Sequence, residues 1–539
     1  MASIQLHVDR SKIDANFDSY KVSMNNLHFS SRKLEQSICV RTPSNEMLTL
    51  QHMKPFTNDN QLFCDYTETT ENIHFLHRIL ESGNIQRLVY DATNRTWDDT
   101  FLGSINMGKK DNSAFPANLL FTERNLVVAC NGIDEITVFL NVSSVNWVKM
   151  LEYKVAKDSG LSLIEARVLN NVLHVLAYQV EYANDKRTRS RVYSINVKLD
   201  DIDYAETLTV EKTTEFVQNG HFETGTYTND GKILFLSSEK PSVDGGQSDA
   251  EEPATEYTWE QTGNSIDVSF KLTSDVAEED VNIDLTKTRI LLTVKGATFL
   301  NGQLFGEVNE NDVQILADQK ANTLTLKLTS LDSKRWESLI AMPTNTLQLL
   351  EDAEMKKAAE EDQIFGTDEP LEECDEADSA LYIFWVDETT GRIEKQCDVS
   401  GSQVLFTRRD CLSPAIFCLR HDVDGLLWSF NSSTPCHVAT LQAFGYVQAS
   451  KTTRLWSGCS PNNSLACIVE GNNRILLYSQ KVDIAGNLCN RKTSQKVSHV
   501  AKQHLLRLDS PDAIRGVQLA DNRLFVITKQ HIHVAELAL

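Results

Sequence analysis

The amino-acid sequence predicts an all-β protein: a β-propeller of seven blades, with eight as the alternative count, interrupted by an inserted β-sandwich. Three observations predict it. A polar turn followed by an apolar strand recurs at a blade-like interval, the recurrence breaks once in mid-chain, and the break holds its own set of alternating strands between acidic stretches.

The recurring pattern reads TERNLVVAC (122–130), LNNVLHVLAY (169–178), NDGKILFLS (229–237), DSALYIFW (378–385), DVDGLLWSF (422–430), GNNRILLYS (471–479) and ADNRLFVIT (520–528). Asp-Gly, Asn-Asn and Asp-Asn pairs tolerate the positive φ of tight hairpins. The branched and aromatic residues after them suit buried inner strands. With Leu126, Leu173, Ile233, Leu381, Leu426, Ile475 and Leu524 as markers, the intervals are 47, 60, 148, 45, 49 and 49 residues. Four of them match the roughly 40–50 residues of a four-stranded blade, and 60 allows one long loop. Setting aside about 110 residues reduces the long interval to about 38, the spacing of one blade. An insertion whose ends lie close together costs its host little closure entropy. The expected organisation is therefore 1–239 as the first part of the propeller, 253–343 as the sandwich, 344–379 as an acidic, partly helical linker, and 380–539 as the rest of the propeller. Short strands are expected within residues 1–80 as well, at MLTLQH (47–52) and QLFCDY (61–66), forming either an eighth blade or a cover on one face.

The inserted unit opens with EYTWEQTGNSIDVSFK (256–271), in which Tyr257 and Trp259 alternate before a Gly-Asn turn and Ile266, Val268 and Phe270 after it. In VNIDLTKTRILLTVK (281–295), Val281, Ile283 and Leu285 alternate, then Ile290, Leu292 and Val294, as in a hairpin with one buried face. NGQLFGEV (301–308) leading to NTLTLKL (322–328) reads as a second pair, and SKRWESLI (333–340) closes the unit. Six or seven short antiparallel strands of this size make an immunoglobulin-sized sandwich.

Charge narrows the possible partners. The chain carries −23, and residues 351–378 alone hold 13 acids against 2 lysines, a block that repels itself and solvates. LQLLEDAEMKKAAEED (347–362) is at most a weak amphipathic helix. The most basic run, DKRTRSR (185–191), reads as a solvated hairpin loop, so direct nucleic-acid binding is not expected. No apolar run nears the ~20 residues of a bilayer span, and the N-terminus lacks the apolar core of a secretory signal. The 11 cysteines are odd in number and lack a CxxC pair; they read as buried free thiols in a reducing compartment, the cytoplasm with the nucleus also open. Asn94-Arg95-Thr96 and Asn141-Val142-Ser143 then carry no sugar.

No phosphate loop, dinucleotide fingerprint, HExxH or GxSxG is present, and no catalytic residue, cofactor site or metal site is assigned. The most site-like cluster, Arg420, His421, Asp422 and Asp424, reads as a hairpin turn whose Asp side chains bond local amides, and as a partner-binding candidate. His531 and His533 share one strand face and read as a half-exposed edge pair. Tyr257, Trp259 and Trp336 are candidates for partner contact, with packing at the ends of the sandwich as the simpler role.

Across about 90 residues the inserted unit resembles the CS domain of the NudC family. The resemblance rests on Tyr257-Thr258-Trp259 with Gln261, the Val-Ile-Leu hairpin with Lys295-Gly296, Asn301-Gly302-Gln303-Leu304-Phe305, and Trp336. Two positions depart from the pattern: Val313 or Ile315 stands where the family has a tryptophan, and Arg335-Trp336 replaces a tryptophan pair. FCLRHDVDGLLW (417–428), GYVQASK (445–451) and VAKQ (500–503) resemble stretches of family members that flank the CS domain with propeller halves. A monomer without enzymatic activity is expected, and the resemblance implies a co-chaperone working beside heat-shock protein 90 on β-propeller clients. The alternative is a scaffold that links partners such as dynein, trafficking or RNA-processing complexes, without chaperone activity.

Overall fold

The computed structural model describes residues 2–243, 257–331, 335, 336, 339 and 380–537, apart from 15–16, 18, 24–26, 45–46, 48, 58, 109–112, 144–145, 156–159, 183–187, 200–206, 272–280, 295–296, 319–322, 412, 432–433, 450–452, 472 and 490–495. The chain divides into two compact units, Met1–Gly246 with Asp375–Leu539, and Gln247–Cys374. The acidic block and its expected helix lie outside the described residues.

Among the described residues the larger unit contains seven sheets. Blade 1 is Phe63–Cys64, Ile73–Ile79, Asn84–Asp91 and Thr96–Ser104, and blade 2 is Asn118–Phe121, Leu126–Cys130, Glu135–Ser143 and Asn146–Lys154. Blade 3 is Leu161–Leu169, Val172–Tyr182, Thr188–Lys198 and Thr209–Gln218. Blade 4 is Phe222–Tyr227, Ile233–Ser237, Tyr382–Val386 and Ile393–Asp398. Blade 5 is Val404–Arg408, Ile416–His421, Asp424–Ser429 and Cys436–Leu441; blade 6 is Arg454–Cys459, Leu465–Glu470, Arg474–Cys489 and Lys496–Arg507. Blade 7 takes Gly516–Leu519, Arg523–Ile527 and His531–Glu536 from the end of the chain and Phe29–Lys33 from its beginning, antiparallel to His531–Glu536. This closes the ring without a free edge at the joint.

Residues Ile233–Ser237 show why the blade strands read as unbroken apolar runs. Successive side chains point to opposite faces of a strand. Ile233 and Phe235 therefore pack with blade 3, and Leu234 and Leu236 with blade 5. Leu126, Val128 and Cys130 likewise face blade 3 while Val127 and Ala129 face blade 1. Each of the seven junctions between successive blades holds its own hydrophobic cluster, including the blade 7–blade 1 junction, where Phe525 and Ile527 meet Leu76 and Tyr90. The expected turn chemistry is present: Asn125, Asn171, Asp422 and Asn473 have φ between 54° and 65°.

Seven blades agree with the expected count, but the markers reach it differently. Ile233 and Leu381 belong to one blade, since Ile233–Ser237 pairs with Tyr382–Val386, and the sandwich is inserted between the second and third strands of blade 4. Blade 1 carries no marker, because its strands bury His74, His77, Arg78, Gln86 and Arg87 among their apolar residues. Arg78 Nε donates to Gln86 Oε1 at 2.7 Å, and the Arg87 guanidinium lies over Phe75 at 5.3 Å.

Residues 1–80 form neither an eighth blade nor a separate cover. Ala2–Ile4 and Lys21–Val22 add parallel fifth strands to blades 4 and 6. The expected strand at 47–52 gives way to the helix Leu50–Thr57, with Met53 N–H donating to Thr49 O at 3.1 Å. Within DKRTRSR, residues 188–191 are strand rather than loop: Arg191 lies 2.8 Å from Glu181 and 2.7 Å from Glu215, so two carboxylates neutralise it. His531 and His533 share a face, but their strand is interior to its sheet, and His533 is buried. Burial pushes the His533 imidazole down to about 4, and Ser31 Oγ lies 2.7 Å from its Nδ1.

The smaller unit is a sandwich of seven described strands. One sheet orders Tyr257–Thr262, Ser265–Lys271, Thr323–Ser330 and Val308–Asp318; the other orders Val281–Leu285, Arg289–Val294 and Ala297–Gln303. The expected pairing of NGQLFGEV with NTLTLKL does not form. Asn301–Gln303 ends a strand that pairs with Arg289–Val294, and Val308–Asp318 intervenes as the partner of Thr323–Ser330. Only alternate residues face the core, Ile266, Val268 and Phe270 from one strand and Leu324, Leu326 and Leu328 from its neighbour.

Candidate partner-binding surfaces

In blade 5 the left-handed Asp422 reverses the chain between Ile416–His421 and Asp424–Ser429. The expected bonding of Asp side chains within the turn is replaced by a longer reach, since Asp424 Oδ1 accepts the Ala443 N–H at 2.6 Å. Burial raises the Asp424 carboxyl while that amide bond lowers it, with a net upward shift. Ala443 itself adopts φ 51°, a conformation that costs a non-glycine residue about 1–2 kcal/mol. Ala443 stands directly before the short helix Phe444–Ala449, which the Tyr446 N–H ties to Val423 O at 3.0 Å. Gly445 permits the approach, because a Cβ there would stand 2.9 Å from Arg420 Cγ and 3.0 Å from Asp424 O. The outcome is a rigid ledge on which Tyr446, 65% exposed, and Val423, 45% exposed, stand in solvent beside exposed His421. Arg420 lies beneath, its Nε donating to Asp422 O at 3.1 Å. The turn was legible in sequence; Tyr446, 22 residues after Asp424, was not.

In the sandwich, Trp336 is core. Gln261 Oε1 accepts its backbone N–H at 2.7 Å, and Gly306 leaves room for the indole, which a Cβ would approach to 2.9 Å. Tyr257 and Trp259 are half-buried on the edge strand of their sheet, with the Tyr257 ring 5.8 Å from Phe270. Exposed apolar surface comes instead from Phe305, Leu316 and Leu331, at 42%, 48% and 52%. Leu316 sits on the opposite edge strand, Val308–Asp318, with unpaired backbone groups along one side.

A buried polar group between blades 3 and 4 has the composition of a hydrolytic triad. Ser194 Oγ donates to Glu388 Oε1 at 2.7 Å and lies 2.7 Å from Tyr227 OH; Asn196 Nδ2 donates to the same carboxylate at 2.6 Å, and His174 Nδ1 stands 3.5 Å from its other oxygen. The serine thus meets the carboxylate directly, with no hydrogen bond to the imidazole, and the arrangement clasps two blades. Among the described residues no group of three or more His, Cys, Asp or Glu side chains is placed to hold a metal ion, and no helix is long and apolar enough to cross a membrane. The described cysteines are free; six are buried, while Cys436 and Cys489 are exposed, against the expectation of burial throughout. Asn141 is buried and donates to Glu68 Oε1 at 2.8 Å, so its side chain is held inside the fold.

Residues 255–329 match the CS domain family. The chain is 26% identical to NudC domain-containing protein 1 of Mus musculus over 98% of each chain, and 26% identical to the protein of the same name from Xenopus laevis over 99% of this chain and 98% of that one. Among solved structures, the nuclear movement protein from E. cuniculi GB-M1 aligns with 16% of this chain and 98% of its own, at 22% identity and a TM-score of 0.14. The resemblance to the NudC family read from the central unit holds, and it extends along the chain.

Proposed function

We propose that this protein is a non-enzymatic adaptor of the co-chaperone kind, which holds protein partners through two separate surfaces. The single observation that carries the reading is the presence of exposed apolar groups on two units with separate cores: Phe305, Leu316 and Leu331 on the CS sandwich, and Tyr446 with Val423 on the strained ledge of blade 5. Backbone strain at an exposed ledge has no packing benefit of its own and is characteristic of binding sites. Apolar side chains on two connected modules suit a partner with incompletely buried surface, as a folding chain has. The NudC-family resemblance supports β-propeller proteins as clients and heat-shock protein 90 as co-worker, in a reducing compartment, cytoplasmic or nuclear.

The test is the refolding yield of a β-propeller client with the intact protein, with a version lacking 254–342, and with none. The intact chain should raise the yield and the deletion should lower it. An unchanged yield, with stable binding of the folded client, would instead identify a scaffold.

A further inference from the structure

The innermost strands of the seven blades enclose a channel, and the helix Leu50–Thr57 forms part of its wall. The cavity measures about 840 Å³, within the ~300–1,000 Å³ of small-molecule sites. Its charged lining is unevenly paired. Arg408 is committed to the fold, donating to Ser460 O and Pro461 O at 3.2 Å each. Lys54 lies 2.8 Å from Glu223 and donates to Phe222 O at 2.9 Å. Arg409 donates once, from Nη2 to Thr224 Oγ1 at 2.6 Å, and its Nε is buried without a partner. The Arg454 side chain forms no hydrogen bond or ion pair among the described residues.

Lys54, Arg409 and Arg454 line this one cavity. Arg409 is near enough to Lys54 to disfavour its charge, and Arg454 is near enough to Glu223 to feel the carboxylate. The acids of the lining are Glu223, which stays ionised although burial opposes it, Asp410, 3.6 Å from Arg408, and Glu165 and Asp59, each of which burial pushes up to about 7. With Lys54 paired to Glu223 and Arg408 to Asp410, the guanidiniums of Arg409 and Arg454 hold the unfilled donors of this cavity, beside two carboxyls that burial raises. A buried guanidinium without an acceptor is costly, and its planar fork matches phosphate oxygens.

We propose that the propeller channel binds a small phosphorylated anion, whose phosphate oxygens accept from Arg409 and Arg454 with Lys54 alongside. The site is separate from the Tyr446 ledge and does not depend on the adaptor reading.

Tripolyphosphate is the probe, titrated calorimetrically into the full chain at about 0.15 M salt, where exposed charges are screened beyond ~8 Å. Binding with one site per chain is expected, weakened at least tenfold by Arg409→Gln and likewise by Arg454→Gln. Lys149→Gln, on the outer strand of blade 2, should leave it unchanged. Arg454 is exposed and unbonded, so its variant tests the site even if the channel interior does not tolerate Arg409→Gln. Absence of binding, an equal loss in Lys149→Gln, or binding of polyglutamate but not tripolyphosphate would overturn the proposal, the last in favour of an acidic protein segment.

Discussion

A propeller strand and a sandwich strand of this protein bury their residues by different rules. Ile233–Ser237 is buried on both faces, and its alternate residues belong to two different hydrophobic clusters. Among the described side chains of Ser265–Lys271 only Ile266, Val268 and Phe270 are buried, and all belong to one cluster within the inserted unit. A blade consequently cannot satisfy its own strands; it needs a neighbour on each side. The sandwich needs none. That difference explains how one unit can interrupt another: the guest brings a finished core, and the host loses no inter-blade contact when the connection inside blade 4 is lengthened.

The sharpest way to break the comparison is to cut the chain. Residues 1–243 comprise three blades and half of a fourth, and leave Leu234 and Leu236 facing solvent. This fragment should aggregate when expressed alone and become soluble when 380–539 is co-expressed. Residues 253–343 should melt cooperatively alone. A stable, monomeric 1–243 in sedimentation would show that the blades do not depend on ring closure.

A finer break uses single positions. Leu234→Ala and Phe235→Ala should each destabilise the propeller by about 2–5 kcal/mol, since each empties a different blade junction. In the sandwich the cost should alternate: Val268→Ala lowers stability by about 2 kcal/mol, whereas Ser269→Ala stays within about 0.5 kcal/mol. Urea midpoints of the two units measure this, and equal costs at 268 and 269 would contradict one-sided burial.

The same difference decided what was legible in sequence. Two-sided burial writes a blade's central strand as an apolar run after a turn, and such runs located blades 2 to 7. It does not state which strand of the blade is being read. Leu173 and Ile233 lie on second strands and Leu426 and Ile475 on third strands, so blade 4 was counted twice. Blade 1 escaped because its junctions bury arginines and histidines paired across the sheet, which look exposed in sequence. In the sandwich, one-sided alternation was legible residue by residue, whereas the pairing order depended on Val308–Asp318, whose pairing register shifts between Val308 and Val313. The ledge turn was legible, but its exposed tyrosine depends on a long-range bond from Ala443 to Asp424.

Polar junctions should respond to pH where apolar ones do not. Burial opposes ionisation of Glu388, but the nearby His174 imidazole and the hydrogen bonds from Ser194 and Asn196 overcome it and leave the carboxyl below its ordinary value of 4.5. An acid depressed in the folded state contributes stability that is present above the unfolded value and is lost as pH falls through the folded one. Glu388→Gln should therefore cost about 2 kcal/mol at pH 7, and the gap from the parent should narrow below about pH 4. A gap independent of pH, in urea melts, would mean that the clasp acts through shape alone.

The smallest effect on stability should accompany the largest effect on binding. Tyr446 is 65% exposed, so its truncation removes little buried surface, and Tyr446→Ala should stay within about 0.5 kcal/mol of the parent. Its rigid placement avoids ordering costs on binding, and a truncated aromatic anchor typically costs about 2 kcal/mol of affinity or more. The corresponding change in the sandwich, Phe305→Ala, is the control that sharpens the comparison, because Phe305 also lies 6.3 Å from the Trp336 ring and so contributes to its own core. Tyr446→Ala should weaken client capture at unchanged melting temperature, while Phe305→Ala should weaken capture and lower the sandwich transition together. If Tyr446→Ala leaves capture intact while Phe305→Ala abolishes it, partner binding belongs to the guest alone and the propeller ledge has no part in it.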